Sequence, residues 1–184
     1  MLRLLAELFV SVFVVKPKRA AVKWTILSFP TKIRVLKRAK KVGKDFNCSG
    51  LYETRVTKNT TIGDHASING LVIYGSGNVN IGNYVHMGAE CAICSDNHNY
   101  EGDAIPYDDT VVKKDVIIGD YVWLGTRSLI LPGTTIGEGA IIQAGSVVHG
   151  EIPPCAIAGG NPAKVFKYRD KEHFYKLKEE GKCY

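Results

Sequence analysis

An aliphatic residue recurs every six positions through most of this chain of 184 residues, and this period limits its fold more than any other feature. A period of six is neither the 3.6 of an α-helix nor the two of a simple strand. It indicates a short strand followed by a tight turn, because Val, Ile and Thr favour strands whereas Gly, Asn and Asp favour turns. The clearest run consists of Ile118, Leu124, Ile130, Ile136, Ile142 and Val148.

The same period occurs earlier in the chain, although with small irregularities. Each unit leaves an apolar edge that it cannot bury alone, so successive units must stack on one another. The sequence therefore predicts an all-β solenoid over residues 42–160, with the aliphatic residues forming ladders that point inward. The earlier positions are Val56, Ile62, Ile68 and Tyr74, then Ile81, Met87 and Ile93, with Val42 and Cys48 as a degenerate start.

One long interruption divides the two runs. Ile93 and Ile118 are 25 residues apart, and the intervening segment 96–114 (DNHNYEGDAIPYDDTVVKK) is polar and lacks the repeat. Binding and catalytic residues are commonly found on loops that leave a rigid scaffold. The loop 96–114 is therefore where we expect the chemistry.

The two ends differ from the repeat region in charge. Residues 1–44 carry 12 Lys and Arg against one acidic residue, whereas residues 45–159 carry 5 against 13. A basic end can meet nucleic acid, an anionic membrane or a phosphorylated ligand. No nucleic-acid-binding motif accompanies it, so nucleic acid is not an expected partner. Residues 161–184 are also basic and predict a strand or turn followed by a short C-terminal helix.

The apolar stretch at residues 2–15 is too short to span a membrane, since a spanning helix needs about 20 residues. It is followed by basic residues rather than by the small residues of a signal cleavage site. We expect residues 1–41 to form a partly hydrophobic helical segment. That segment either packs on the protein or its oligomer, or makes peripheral contact with the inner membrane through residues 1–44.

The five cysteines are an odd number without the spacing of a disulfide scaffold, which favours a reduced, cytoplasmic location. Cys91 and Cys94 form a lone CxxC, whereas a zinc site needs a second pair of ligands. We expect these two residues to fill the core, and we expect no metal cofactor.

The stretch Ile118–Lys167 resembles the C-terminal half of the hexapeptide-repeat sugar O-acetyltransferases, such as the maltose, galactoside and nodulation enzymes. The resemblance lies in the segments VWLG, LPGTTIG, AGSVV, IPP and AGGNPAKV. It implies a left-handed parallel β-helix that uses acetyl-CoA as co-substrate. It also implies a homotrimer with active sites between neighbouring subunits. The segment DNHNY at residues 96–100 is most similar to the corresponding segment of the acetyltransferases of capsule, O-antigen and exopolysaccharide clusters.

Acetyl transfer to a hydroxyl requires a base with a pKa near neutrality, which favours histidine. Of the five histidines, only His98 lies where the repeat gives way to the loop, and by resemblance it matches the catalytic base of the family. A turn histidine on the solenoid surface is the alternative. The group that would orient the imidazole stays open between Asp96, Asp103, Asp108 and a backbone carbonyl. By resemblance, a backbone amide near Gly125 would stabilise the oxyanion.

The remaining site residues also come from the resemblance. Packing is the alternative role for Trp123, and a solvated basic tail is the alternative for the two lysines. The coenzyme A candidates are Trp123, Gly125, Thr126, Ala144, Gly145, Lys164 and Lys167. One cationic contact of many relatives is missing, since His149-Gly150 stands where they have Thr-Lys or Ser-Lys. The substrate-binding candidates are Asn69, Asn80, His86 and Asp96, with solenoid turns as the alternative for the two asparagines.

The function predicted from the sequence is acetyl-CoA-dependent acetylation of a sugar hydroxyl, on a surface polysaccharide or on its lipid-linked or nucleotide-linked precursor. The hydrophobic N-terminus departs from the maltose-type enzymes and favours a polymeric or lipid-linked acceptor. One alternative is an N-acetyltransferase on an amino sugar, or a serine-type acetyltransferase, of the same fold. Another is a β-helix protein without acyl chemistry, such as a γ-type carbonic anhydrase, which needs three zinc-binding histidines on facing coils.

Overall fold

Three hexapeptide units make one coil of a left-handed parallel β-helix, so residues 18 positions apart lie side by side. Ile118 pairs with Ile136, Leu124 with Ile142, and Ile130 with Val148. The computed structural model describes residues 19–49 and 51–184, with side chains from residue 28 onward. The apolar segment 2–15 lies outside the described residues. The predicted fold class is confirmed.

The chain winds around three faces, each a parallel sheet with short strands. The first face contains β1 (Lys41–Val42), β3 (Thr60–Ile62), β5 (Val79–Ile81), β9 (Val116–Ile118), β12 (Thr135–Ile136) and β15 (Glu151–Ile152). The second face contains β2 (Asn47–Cys48), the first parts of β4 (Ser67–Tyr74) and β6 (His86–Cys94), β10 (Trp123–Leu124), β13 (Ile141–Ile142) and β16 (Ala156–Gly160). The third face contains the second parts of β4 and β6, then β11 (Leu129–Ile130) and β14 (Val147–Val148).

The aliphatic repeat residues form the core along the axis of the solenoid. Ile118, Leu124 and Ile130 are at most 1% exposed, and most of the equivalent residues of the other coils belong to the same cluster. The prediction for Tyr74 is wrong: its side chain is 50% exposed and Ile73 takes the inward position, because the strand register shifts by one residue after Ile68. The backbones of successive coils touch at the corners. A Cβ added to Gly63 would lie 2.6 Å from the carbonyl carbon of Gly82, so a side chain there would force the coils apart.

Aromatic side chains stack along the corner between the first and second faces. His65, Tyr84 and Tyr121 all have positive φ, and each follows an Ile-Gly-Asp or Ile-Gly-Asn sequence. The ring centroids of His65 and Tyr84 are 4.5 Å apart, and those of Tyr84 and Tyr121 are 5.1 Å apart. This stacking offsets part of the cost of the left-handed conformation, which is about 1–2 kcal/mol for a non-glycine residue.

A helix lies at each end of the solenoid. Helix α1 (Arg19–Arg38) buries Val35 in the core, and the Arg38 Nε donates a hydrogen bond to the Val56 carbonyl. At the other end β16 turns into the antiparallel strand β17 (Ala163–Tyr168), and helix α2 (Lys171–Glu179) follows. Within the part of the chain that the structure covers, no helix has the length and apolar content needed to cross a membrane.

The loop 96–114 is inserted at the corner between the third and first faces. Ile81 pairs with Ile118, 37 residues later instead of 18, so the insertion adds 19 residues. Its two arms form an antiparallel hairpin, β7 (Asp96–His98) with β8 (Val111–Lys113). The solenoid continues undisturbed beyond this hairpin.

The buried ladder should dominate stability. Ile118→Ala is expected to lower the free energy of unfolding by about 2–5 kcal/mol, because a buried aliphatic side chain is lost and a cavity remains. Ile117→Ala is the matched control, since the Ile117 side chain faces outward on the same strand and is 45% exposed. Denaturant unfolding of both variants measures the difference, and equal losses would contradict the inward assignment of the repeat.

Candidate functional site

His98 ends the first arm of the loop hairpin, where its side chain is exposed. The imidazole stacks on the ring of Tyr107, with centroids 3.8 Å apart and planes inclined by 11°. Tyr107 lies on the far part of the loop, just after the cis Ile105-Pro106 peptide bond. The stack fixes the plane of the imidazole and leaves its ring nitrogens accessible.

The loop carboxylates make other contacts. Asp96 accepts hydrogen bonds from the amide and the hydroxyl of Ser76, at 2.8 and 2.9 Å, and so ties the hairpin to the preceding coil. Asp108 accepts from the hydroxyl and amide of Thr110, which lower the pKa of that carboxyl. Among the described residues, no group forms a hydrogen bond with the His98 imidazole. The structure therefore gives Asp96 and Asp108 a role in shaping the loop.

A row of outward-facing residues crosses the second face from coil to coil. Ser67 pairs with His86, His86 with Trp123, and Trp123 with Ile141. Trp123 is 53% exposed although the next residue, Leu124, is fully buried. The structure thus places the predicted substrate residue His86 beside the predicted coenzyme A residue Trp123.

Four coenzyme A candidates meet at the corner between the second and third faces. Gly125 and Ala144 lie on neighbouring coils in such close contact that a Cβ on Gly125 would collide with the Ala144 amide nitrogen. The Gly145 amide donates to the Thr126 carbonyl at 2.8 Å. The corner is therefore a narrow track of backbone with small side chains.

Two backbone amides on this track are available. The Gly125 amide donates to the Ile142 carbonyl at 2.8 Å, so it cannot serve an oxyanion. The Thr126 amide has no acceptor among the described residues, and Thr126 is exposed. The amide of Ala144, which is also exposed, likewise has no acceptor among the described residues, so the predicted amide near Gly125 has two candidates, Thr126 and Ala144.

The two lysine candidates lie on β17, which extends the second face. Lys167 pairs with Ile157 and Lys164 with Gly159, and both lysine side chains are exposed. Their strand is the last of the face that carries Trp123, and β13 and β16 lie between it and the Trp123 strand β10. The seven coenzyme A candidates therefore follow one continuous path.

The substrate candidates do not form one group. Asn69 lies at the corner between the second and third faces, paired with Ala89, whereas Asn80 lies on the first face, paired with Ile117. His98 projects from a third position, the corner between the third and first faces. Within one chain, the structure brings His86 to Trp123 but leaves Asn80 and His98 on other sides of the prism.

A cavity of about 300 Å³ lies between the second face and the C-terminal segment. Its walls include Tyr84, Tyr121 and Trp123 from the solenoid, with Arg169 from the segment that precedes α2. Sequence reasoning missed all of these except Trp123. The recurring Ile-Gly-Asp/Asn-aromatic sequence could have revealed the two tyrosines, but nothing local reveals Arg169.

None of the five cysteines forms a disulfide bond. Cys91 fills the core as expected, whereas Cys94 is half-buried and lies outside the core cluster. Burial raises the pKa of the Cys91 thiol, which donates to the Gly125 carbonyl at 3.3 Å. In the described ranges, no three His, Cys, Asp or Glu side chains are grouped in a way that could hold a metal ion.

Comparison with known proteins identifies the repeat. The family model described as bacterial transferase hexapeptide (six repeats) matches residues 115–150 of this chain. A Mycobacterium tuberculosis protein named as a probable acetyltransferase is 40% identical over 92 residues, which are 50% of this chain and 31% of that protein. An Escherichia coli protein, named for lipopolysaccharide biosynthesis as an O-acetyl transferase, is 36% identical over 123 residues, covering 55% of this chain and 63% of its own. The chain thus spans less than two thirds of either relative.

Solved structures of low sequence identity share the fold. A hexapeptide-repeat acetyltransferase from Vibrio cholerae in complex with acetyl-CoA superimposes with a TM-score of 0.61 at 23% identity, over 90% of this chain and 85% of that one. A galactoside acetyltransferase in complex with coenzyme A gives a TM-score of 0.61 at 22% identity, over 94% and 82%. The resemblance predicted from the sequence is confirmed: the chain carries the bacterial transferase hexapeptide repeat on the left-handed β-helix of the hexapeptide-repeat acyltransferases.

Proposed function

We propose that this protein transfers an acetyl group from acetyl-CoA to a sugar hydroxyl, with His98 as the general base. The observation that carries the proposal is the track of small residues at Gly125 and Ala144, which ends beside an unpaired backbone amide. Such a track fits an extended pantetheine arm, and the amide fits the oxyanion of a thioester under attack. The relatives named as acetyltransferases support the same chemistry.

The reaction needs little beyond a base and an oxyanion donor. The unprotonated nitrogen of His98 takes the proton of the acceptor hydroxyl as its oxygen attacks the thioester carbonyl carbon. The Thr126 amide stabilises the negative charge that forms on the carbonyl oxygen. Collapse of the intermediate breaks the carbon–sulfur bond, and the coenzyme A thiolate leaves with the proton that the His98 imidazolium gives up, which restores the base.

The positions of these groups require more than one copy of the chain. His98 lies at the corner between the third and first faces, whereas Thr126 lies at the corner between the second and third. A homotrimer, as the resemblance implies, would bring the hairpin of one subunit to the track of the next. The exposed apolar residues of the hairpin, with Ile105 at 98% exposure, suit such a contact.

The acceptor that we propose is a sugar of a surface polysaccharide, or of its lipid-linked or nucleotide-linked precursor. The name of the Escherichia coli relative supports this class of acceptor. An amino group would be acetylated by the same steps, so an amino sugar is the alternative. The zinc-enzyme alternative is not favoured, because His65 is stacked at a corner, His86 lies on the second face and His98 projects on the loop.

We also propose that the protein works in the cytoplasm, where residues 1–44 contact the anionic surface of the inner membrane. Helix α1 is part of this segment and carries the positive charges of Lys37 and Arg38 in its last turn. A basic segment near an anionic bilayer is attracted by about 1 kcal/mol per Lys or Arg.

Removing the base should abolish turnover. His98→Ala is expected to lower kcat by about 10²- to 10⁴-fold on an acceptor that the wild type acetylates, because general base catalysis contributes about that much. Thiol release from acetyl-CoA measures the rate, and calorimetry should show unchanged binding of coenzyme A. His173→Ala, an exposed histidine on α2, is the control. Full activity of His98→Ala would overturn the assignment.

The lysines of β17 should contribute to the binding of acetyl-CoA and not to the rate of acetyl transfer. The double variant Lys164→Ala/Lys167→Ala is expected to raise KM for acetyl-CoA about tenfold or more, since each hydrogen bond to a phosphate contributes about 1.5–3 kcal/mol. Steady-state kinetics at saturating acetyl-CoA should show kcat unchanged. Lys171→Ala removes a cation just beyond the strand and should alter neither constant. A fall in kcat with KM unchanged would contradict the role in donor binding.

The membrane contact has a separate test. Deletion of residues 1–15 is expected to release the protein from liposomes that contain anionic lipid, because the apolar stretch would no longer insert at the interface. Co-sedimentation measures the bound fraction, and neutral liposomes provide the control. Unchanged binding after the deletion would rule out this stretch as the anchor.

A further inference from the structure

We infer that the cavity between the second face and the C-terminal segment holds an anionic sugar, with the phosphate or carboxylate of that sugar bound by Arg169. This inference rests on the proposed function, since the sugar would be the acceptor or the part of it next to the reacting hydroxyl. The volume of about 300 Å³ is at the lower end of the range for ligand sites, roughly 300–1,000 Å³, and suits a monosaccharide.

Of the cationic side chains that line the cavity, the two lysines have a carboxylate partner and Arg169 has none within the described part of the chain. The Lys178 Nζ contacts the Glu138 carboxylate at 2.6 Å, and the Lys182 Nζ contacts the Glu180 carboxylate at 2.8 Å. Arg169 has no carboxylate partner among the described residues, and its Nε is buried without a hydrogen-bond acceptor. Arg169 is therefore the cation of the cavity that is free to bind an anion.

The setting of Arg169 makes the unpaired charge costly. Its backbone amide is fixed to the Cys155 carbonyl at 2.8 Å, and its guanidinium lies 5.3 Å from the centre of the Phe174 ring. Burial lowers the pKa of the guanidinium from its ordinary value. A partly desolvated cation without a carboxylate partner favours an anionic ligand, and a guanidinium is suited to bidentate contact with phosphate or carboxylate.

The other walls suit a sugar ring. Tyr84, Tyr121 and Trp123 provide aromatic surface, and His86 adds a polar group on the same side. Phe174 holds the C-terminal helix in place, since it packs on Gly139 and meets Tyr121 at a centroid distance of 6.0 Å. Apolar aromatic walls with a few polar groups are the usual composition of a small-molecule site.

The cavity is correctly placed for an acceptor. Trp123 lies at its edge, and the backbone track of Gly125 and Thr126 begins two residues further along the same coil. The donor track and the cavity are thus on opposite sides of Trp123. Two residues of extended chain span about 7 Å, so a sugar in the cavity would reach the thioester end of the donor.

The test is calorimetry on the full chain with coenzyme A at saturation. Glucose 1-phosphate and glucuronic acid represent the two anions, and glucose is the neutral probe. We expect at least one anionic sugar to bind about tenfold or more tightly than glucose, and the stronger of the two identifies the anion. Arg169→Gln should remove this preference, with the affinity for coenzyme A unchanged. Arg169→Lys should retain part of it, because the charge stays but the bidentate geometry is lost.

Lys171→Gln is the matched control, since it removes a cation two residues away that does not line the cavity. Thermal unfolding of each variant checks the fold, and Arg169→Lys carries the test if Arg169→Gln does not fold. Equal affinity for all three sugars would overturn the inference. So would a loss of coenzyme A affinity in Arg169→Gln, which would assign Arg169 to the donor phosphates. Failure of the wild type to bind coenzyme A would instead overturn the proposed function.

Discussion

The stacking of coils at a fixed spacing of 18 residues is the constraint on which the rest of the structure depends. Ile118, Leu124 and Ile130 each meet the equivalent residue of the next coil, so the core consists of three continuous ladders. Because the ladders face inward, the alternate positions must face outward in equally regular rows. The row that brings His86 beside Trp123, and the corner that brings Gly125 to Ala144, are consequences of that register.

The same constraint separates the groups to which we assign the reaction. A rigid prism cannot bend to bring two of its corners together, so a base on one corner cannot act at another corner of the same chain. The insertion of 19 residues moves His98 off the solenoid without disturbing the register on either side. Ser76 and Tyr107 then fix the position of the loop and the plane of the imidazole. In the proposed mechanism the scaffold provides the donor track, and the hairpin provides the base for a neighbouring copy.

The sequence predicted the features that follow from periodicity, since a ladder such as Ile118 to Ile136 can be read from spacing alone. It placed Tyr74 in the ladder instead of Ile73, because the register shift after Ile68 is not visible in the spacing. It also missed the cavity at Arg169. The fold of the C-terminal segment depends on Phe174 packing against Gly139, a contact that no local pattern encodes. Long-range contacts of this kind are the part that composition and spacing leave undetermined.

Subunit complementation tests the central claim most directly, namely that one copy supplies the base and another supplies the track. His98→Ala would be co-expressed with a triple variant, Trp123→Ala/Lys164→Ala/Lys167→Ala, and mixed oligomers would be isolated with two affinity tags. At acetyl-CoA concentrations well below the raised KM of the triple variant, each variant alone should be strongly impaired. The account predicts that mixed oligomers regain activity, because some sites combine an intact His98 with an intact second face. Mixed oligomers no more active than the separate variants would contradict it, because the base and the track would then have to come from one chain.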